Sequence, residues 1–162
     1  MGLSVSVYKN VKLTESEEDH DFQVYLPFEG WKNKIKNLVQ DGFYEGERES
    51  GYVQYSYSSH SRFREDLVKI MGREDLIMED GRINWDLLIE EKELPFYELI
   101  WFSDCEGCLD HETSSIIYDD FLEWKEKAIE YFNRINPLNE KYLDWLQAFK
   151  SGKEEGSVVV FG

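Results

Sequence analysis

Six apolar residues between positions 117 and 135 recur at steps of four and three residues, and this spacing constrains the fold more than any other feature. Steps of three and four keep side chains on one side of an α-helix, so the pattern predicts a long helix over about residues 113–135. Such a helix is stable only when another element covers its apolar face. The six residues are Ile117, Phe121, Trp124, Ala128, Tyr131 and Ile135.

Three other segments alternate apolar and polar residues with a period of two, which predicts half-buried β-strands. A fourth apolar run, close to position 160, has the length of a short strand. The alternating residues are Leu3, Val5 and Val7, then Phe22, Val24 and Leu26, then Val53, Tyr55 and Tyr57, and the fourth run spans Val158 to Phe161.

Further helices are predicted where a capping residue precedes an apolar stripe. Ser61 is the expected N-cap of a helix that ends near Gly72. The other predicted helices are a short one capped by Asn84, another over Phe96 to Phe102 for which Pro95 suits the first turn, and two over residues 31–39 and 142–149. These elements predict an α+β fold, in which residues 1–162 form a single compact domain with several helices packed on a small, mostly antiparallel sheet.

The composition excludes several classes of protein. The chain has 162 residues, of which 41% are hydrophobic, and its 34 acidic and 18 basic residues give a net charge of −16. That apolar content is too high for a disordered acidic tail. The negative charge disfavours direct binding to nucleic acid or to an anionic membrane surface. Since no apolar run reaches the ~18 residues of a spanning helix, we expect a cytoplasmic protein without a membrane partner.

Residues 103–112 bring together both cysteines, a histidine and four carboxylates, all of them possible metal ligands or acid–base residues. Cys105, Cys108 and His111 have a C-x-x-C-x-x-H spacing, but a tetrahedral zinc site needs a fourth ligand, and the chain has no further cysteine. The favoured interpretation is a structural loop in which Asp110 caps the next helix, and a functional acidic loop is the second alternative. We predict no bound metal, no other cofactor and no assigned catalytic residue.

Residues 51–64 bring serines, tyrosines, a histidine and two arginines to a predicted helix start in an otherwise acidic chain. A helix N-terminus with hydroxyls and a nearby guanidinium is the best anion site that this chain could build. The simpler alternative is structural: the tyrosines line a strand, Ser61 caps the helix and both arginines pair with carboxylates. The candidate binding residues are Tyr55, Tyr57, Ser61, Arg62 and Arg64 in this segment, and Ser103, Asp104 and Glu106 in the other.

Three stretches carry a resemblance to other proteins. They are residues 1–8 (Met-Gly-Leu-Ser-Val-Ser-Val-Tyr), residues 55–64 (Tyr-Ser-Tyr-Ser-Ser-His-Ser-Arg-Phe-Arg), and Pro-Phe-Tyr-Glu-Leu-Ile at 95–100 followed by Phe-Ser-Asp-Cys-Glu-Gly at 102–107. In this order they resemble a group of uncharacterised phage and prophage proteins. The resemblance implies a phage or mobile-element origin, the host-cell cytoplasm as location, and a shared site for the last two stretches. Cys108 and His111 are not features of that group, which argues further against zinc.

Three functions are compatible with these features. The first is a non-enzymatic acidic binding protein that inhibits or masks a basic surface of another protein, such as a nucleic-acid-binding effector, in a counter-defence or immunity-like role. The second is a binding or sequestering protein for a small anionic ligand, and the third is a metal-assisted hydrolase that uses Asp104 and Glu106. The net charge favours the first, because a strong negative field speeds encounter with a basic partner. We also expect Arg62 or Arg64 to lie within ion-pair reach of Asp104 or Glu106. A tight, buried pair would favour the structural interpretation, whereas arginines that point into an open cleft would favour an anionic ligand.

Overall fold

The alternating residues at the start of the chain lie in the central strand of a five-stranded sheet, β1 (Gly2–Thr14). The structure is a computed structural model that describes residues 2–25, 35–103, 105–135 and 140–162. The other strands are β2 (Phe22–Gln23), β3 (Phe43–Ser56), β4 (Gly107–Leu109) and β5 (Val158–Phe161). Their order across the sheet is β2–β3–β1–β5–β4, and all the pairings are antiparallel.

The described part of the chain contains six α-helices. They are α1 (Tyr57–Ile70), α2 (Trp85–Leu88), α3 (Tyr97–Ile100), α4 (His111–Glu123), α5 (Lys125–Ile135) and α6 (Lys141–Gly152). Side-chain caps begin three of them, because Ser56, Asn84 and Asp110 each accept a hydrogen bond from a backbone N–H in the first turn. None of the helices in these ranges is long and apolar enough to cross a membrane.

Helix α6 lies at the centre of the core, between the sheet and the other helices. Trp145 is fully buried, and the centre of its ring lies 5.7 Å from those of Phe149 and Phe161. The helix approaches β5 closely at Gly152, where a Cβ atom would lie 2.3 Å from Val159 Cγ2. The predicted α+β fold, with helices packed on a small antiparallel sheet in one compact domain, is confirmed.

The apolar stripe predicted as one long helix over residues 113–135 is divided between α4 and α5. At Trp124 the backbone ψ is 3°, outside the α-helical range. The two halves have different partners, since α4 packs on α6 and β5 whereas α5 packs on α1. After the bend the buried positions are Ala128 and Phe132, and Ile135 is 60% exposed.

Two other helix predictions differ from the structure. Helix α1 begins earlier than expected, because β3 runs directly into it and Ser56 rather than Ser61 is the N-cap. The helix predicted over residues 31–39 falls partly outside the described residues, and residues 36–38 and 40–41 lie in turns.

Two strand predictions also differ. Leu26, at the end of the second alternating segment, lies outside the described residues, and β2 itself is only two residues long. Residues 107–109 were expected in a loop, but they form the edge strand β4 because they pair with β5. That pairing joins segments about 50 residues apart, which no local pattern reveals.

Candidate binding site

Arg64 joins the two segments that the sequence singles out. Its guanidinium donates through Nη1 to the carbonyl oxygens of Ile100 (3.3 Å) and Phe102 (3.2 Å), and through Nη2 to the Ser61 hydroxyl (3.4 Å). The residue is 7% exposed, and its Cζ lies 5.2 Å from the centre of the Trp85 ring. A buried charge is tolerated only with such partners. Arg64 therefore acts as a brace between α1 and the loop after α3.

Ser103 organises that loop. Its hydroxyl accepts hydrogen bonds from the backbone N–H groups of Cys105 and Glu106, each at 3.2 Å, which is a turn that serine commonly forms. Gly107 then adopts a φ of 119°, and a Cβ atom there would lie 2.8 Å from the Phe102 ring. The backbone at this position therefore requires glycine.

The two cysteines are in different environments. Cys105 is exposed, whereas Cys108 is 1% exposed in β4 and burial raises the pKa of its thiol to about 12. A thiol that stays protonated is a poor nucleophile and a poor metal ligand. In the described part of the chain, no three side chains of His, Cys, Asp or Glu converge on a possible metal site.

Tyr55 contacts α6. Its hydroxyl donates to Asp144 Oδ2 at 2.8 Å, and Lys141 Nζ lies 4.9 Å from the centre of its ring. Burial, followed by the hydrogen bond to Asp144, raises the pKa of Tyr55 far above its usual value, so its hydroxyl remains a donor. Lys141 also contacts the Ser59 hydroxyl, and burial lowers the pKa of its ammonium group.

His60 is enclosed between α1 and α6. It is fully buried, its ring centre lies 5.4 Å from that of Trp145, and neither ring nitrogen has a hydrogen-bond partner among the described residues. Burial, and to a smaller extent the positive charges of Arg64 and Lys141, lower the pKa of His60 to about 3. The imidazole is therefore neutral at physiological pH.

The candidate residues from the sequence thus fall in different environments. Ser61, Arg64 and Ser103 belong to the brace and its loop, and Tyr55 belongs to the contact with α6. Tyr57 is partly buried in the first turn of α1, whereas Arg62 and Glu106 are exposed. Asp104 lies outside the described residues. The acceptors seen for Arg64 Nη1 are the carbonyl oxygens of Ile100 and Phe102, and an ion pair with Asp104 would involve a residue outside the described ranges.

A second candidate site lies between the loop at residues 15–21 and the strands β1 and β3. It is a cleft of about 360 Å³ lined by Asn10, Lys12, Asp19, His20, Asp21, Glu45, Gly46 and Glu47. We call it the acidic cleft. Residues 10–21 and 45–47 together contain seven carboxylates and one lysine. All seven carboxylate residues are exposed, so their charge faces the solvent.

Hydrogen bonds fix the loop on the strands. The Asp21 carboxylate accepts from the Gly46 N–H at 2.8 Å, and the Asp21 N–H donates to the Tyr44 carbonyl at 2.9 Å. Ser16 Oγ accepts from the Asp19 N–H at 3.0 Å, which closes a turn within the loop. Hydrogen bonds with the backbone therefore hold the loop beside β3, and the side chains of Asp19, Glu45 and Glu47 remain exposed in the cleft.

The sequence alone does not predict the acidic cleft. The acidic loop is visible as Glu15-Ser16-Glu17-Glu18-Asp19, but Glu45 and Glu47 come from a strand more than 20 residues later. The two groups are brought together by the register of β1 with β3, which places Lys12 opposite Glu45, and by the pairing of Phe22 with Tyr44. The dense run of acids in the loop is the one signal that could have drawn attention to this end of the molecule.

Comparison of the chain with protein-family models, with curated proteins and with solved structures finds no match. The function is therefore argued from the two sites alone.

Proposed function

We propose that this chain is a non-enzymatic acidic binding protein of phage or mobile-element type, which inhibits or masks a basic surface of another protein. The observation that carries the proposal is the acidic cleft. Its carboxylates come from a loop and from a strand, and hydrogen bonds to the backbone hold the loop in place. A basic side chain of a partner would meet several carboxylates at once there.

Electrostatics supports this role on two scales. At long range, a net charge of −16 on 162 residues attracts a basic partner and speeds its encounter. At short range, a lysine or arginine that enters the acidic cleft would pair with Asp19, Glu45 or Glu47. Both contributions weaken as the salt concentration rises.

The alternative of a small anionic ligand has less support. The groups expected to bind the anion were the two arginines of α1. The Arg64 guanidinium, however, is buried and already donates to two backbone carbonyl oxygens. Arg62 is exposed on the same helix, where water competes for its charge. A metal-assisted hydrolase would need several ligands around Glu106, and in the described part of the chain no three His, Cys, Asp or Glu side chains converge on a possible metal site.

Two triple variants with the same change in charge test the proposal. The cleft variant is Asp19→Asn, Glu45→Gln, Glu47→Gln, and the control variant is Asp119→Asn, Glu123→Gln, Glu126→Gln on the exposed sides of α4 and α5. The probe is a fluorescently labelled octa-arginine peptide, whose dissociation constant is measured by anisotropy at several salt concentrations.

We expect the cleft variant to bind octa-arginine about tenfold more weakly than the wild-type chain, since each lost ion pair contributes about 0.2–1 kcal/mol. The control variant should weaken binding only about two- to threefold, through the change in net charge. Equal weakening in both variants would mean that the peptide responds to the net charge of the chain and not to the acidic cleft. If octa-arginine does not bind the wild-type chain, the proposed function is refuted.

A further inference from the structure

Within the part of the chain that the structure describes, the outer edge of β3 is unpaired over most of its length. β3 runs from Phe43 to Ser56, and β1 pairs with it along one edge. On the other edge β2 pairs only with Phe43 and Tyr44. Among the described residues, no strand pairs with the outer edge of residues 47–56. A free strand edge carries backbone donors and acceptors that can pair with another chain.

The hydrogen bonds of Ser4 show which groups face outward. Ser4 lies directly opposite Gln54, yet Ser4 exchanges both of its backbone hydrogen bonds with Gly162 on its other side (2.8 and 2.9 Å). In an antiparallel ladder the residue opposite then points its own N–H and C=O away from β1. Gln54 is exposed, and neither backbone group has a partner in the described structure. Two residues further on, Ser56 directs its N–H the same way.

An irregularity in the ladder limits this edge to a short segment. Val5 lies opposite Val53 and Val7 opposite Glu49, so the three residues 50–52 face the single residue Ser6. Bulges of this kind bend a strand and interrupt pairing, and they are a common protection against uncontrolled edge-to-edge association. The segment that can accept a strand is therefore the one from Val53 to Ser56.

The edge and the acidic cleft lie on the same strand. Glu45 and Glu47 line the cleft, and Gln54 follows seven residues after Glu47. At about 3.3 Å per residue the separation is roughly 20 Å, which an extended segment of about seven residues spans. A single extended chain could reach both places.

We propose that the outer edge of β3 at Gln54 and Ser56 accepts an extended segment of a basic partner as an additional strand, while basic side chains of that segment occupy the acidic cleft. This inference rests on the proposed function and names the form in which the partner binds. Main-chain hydrogen bonds to Gln54 and Ser56 supply affinity, as in other strand-addition complexes, and the carboxylates select a basic sequence. A second copy of this chain is a poorer occupant, because each copy carries a net charge of −16.

The test uses a designed probe and two substitutions at one position. The probe is the labelled peptide Lys-Val-Lys-Thr-Lys-Val-Lys-Thr, and its control replaces every lysine with glutamate. Gln54→Pro removes the outward N–H, which takes no part in pairing with β1. Gln54→Ala retains the N–H and is the matched control. Affinity is measured by anisotropy, and the exchange rate of the Gln54 amide in the wild-type chain is measured by NMR.

We expect the lysine peptide to slow exchange of the Gln54 amide at least about tenfold and the glutamate peptide to have no effect. Gln54→Pro should weaken binding about tenfold, whereas Gln54→Ala should change it less than about twofold. If Gln54→Pro does not fold, the amide protection in the wild-type chain decides the question.

Four outcomes would overturn the inference. If the lysine peptide binds without protecting the Gln54 amide, the strand edge is not used, although the proposed function still stands. If octa-arginine binds and the lysine peptide does not, the strand edge is again not used and the proposed function still stands. A dimer of the free protein that Gln54→Pro dissociates, seen by analytical ultracentrifugation, would identify a second copy as the occupant. If neither peptide binds, both the inference and the proposed function fail.

Discussion

Arg64 Nη1 lies 3.2 Å from the carbonyl oxygen of Phe102, a residue 38 positions further along the chain. The contact ties the first helix to the loop that ends in the edge strand β4. Because the guanidinium is buried, its loss would leave two carbonyl oxygens without this donor. The brace is therefore a stability element, and its contribution can be measured directly.

Replacement of this arginine is the first test. We expect Arg64→Met to lower the free energy of unfolding by about 2–3 kcal/mol, because a buried charged donor and its acceptors lose their pairing. Urea denaturation followed by circular dichroism gives the value. Arg62→Met, on the exposed side of the same helix, is the control and should change stability by less than about 0.5 kcal/mol. Equal effects of the two substitutions would contradict the role of Arg64 as a brace.

His60 should make the stability of the fold sensitive to acid. The pKa of His60 is lowered from 6.5 to about 3 in the folded state, so between these values the unfolded chain binds a proton that the folded chain does not. The contribution of neutral His60 to the free energy of unfolding is therefore fully present above pH 6.5. It is lost as the pH decreases toward 3, by at most about 1.4 kcal/mol per pH unit. Arg64 and Lys141 face the imidazole from α1 and α6 and add to the cost of its protonation.

The contribution of His60 is isolated by comparing variants. His60→Phe should have a flatter decline in unfolding free energy between pH 6.5 and 4 than the wild-type chain, because the phenyl ring takes up no proton. His20→Gln is the control, since His20 is exposed, and its pH profile should parallel that of the wild-type chain. Parallel profiles for His60→Phe and the wild-type chain would show that His60 does not titrate in this way.

Because the helix bends at Trp124, alanine substitutions at Phe121, Trp124 and Glu123 should lower the free energy of unfolding by different amounts. Phe121 is fully buried and contacts the rings of Phe96 and Tyr142, so Phe121→Ala should cost about 3–5 kcal/mol. Trp124 is only partly buried, and Trp124→Ala should cost clearly less. Glu123→Ala, at an exposed position, should have little effect. Denaturant midpoints give the order, and a larger loss for Trp124→Ala would mean that this residue lies deeper in the core than the structure places it.

The two cysteines should differ in reactivity. In the native protein a thiol-specific chromogenic reagent should modify Cys105 rapidly, because its side chain is exposed. Cys108 should react only after denaturation, since it is buried and its pKa is raised to about 12. The measurement is the number of thiols that react per chain with and without denaturant. Cys105→Ser is the control and should show no fast reaction.

Elements with a clean local period could be predicted from the sequence. The alternation of Leu3, Val5 and Val7 indicated β1, and the helical spacing of Ile117 and Phe121 indicated α4, because both patterns reflect burial on one face. The proximity of the α1 start and the loop at residue 103 was also expected, though not the carbonyl acceptors of Arg64.

Features that depend on distant partners could not be predicted in this way. Ser56 and Ser61 are both suitable N-caps, and the choice between them depends on where β3 ends against β1. Residues 107–109 have no strand-like alternation of their own and become a strand only because β5 is beside them. The acidic cleft likewise requires the register of two strands.

The order of strands in the sheet also sets the order in which it can form. β1 and β5 pair through Val5 and Phe161, which are separated by almost the whole chain, and β4 pairs with β5. Because this pairing closes a long loop, its entropic cost is high. We expect it to form after the more local pairing of β1 with β3. β4 can join only once β5 is in place. We therefore expect slow folding with high contact order, in which β5 pairs with β1 late and the edge strand β4 is added last.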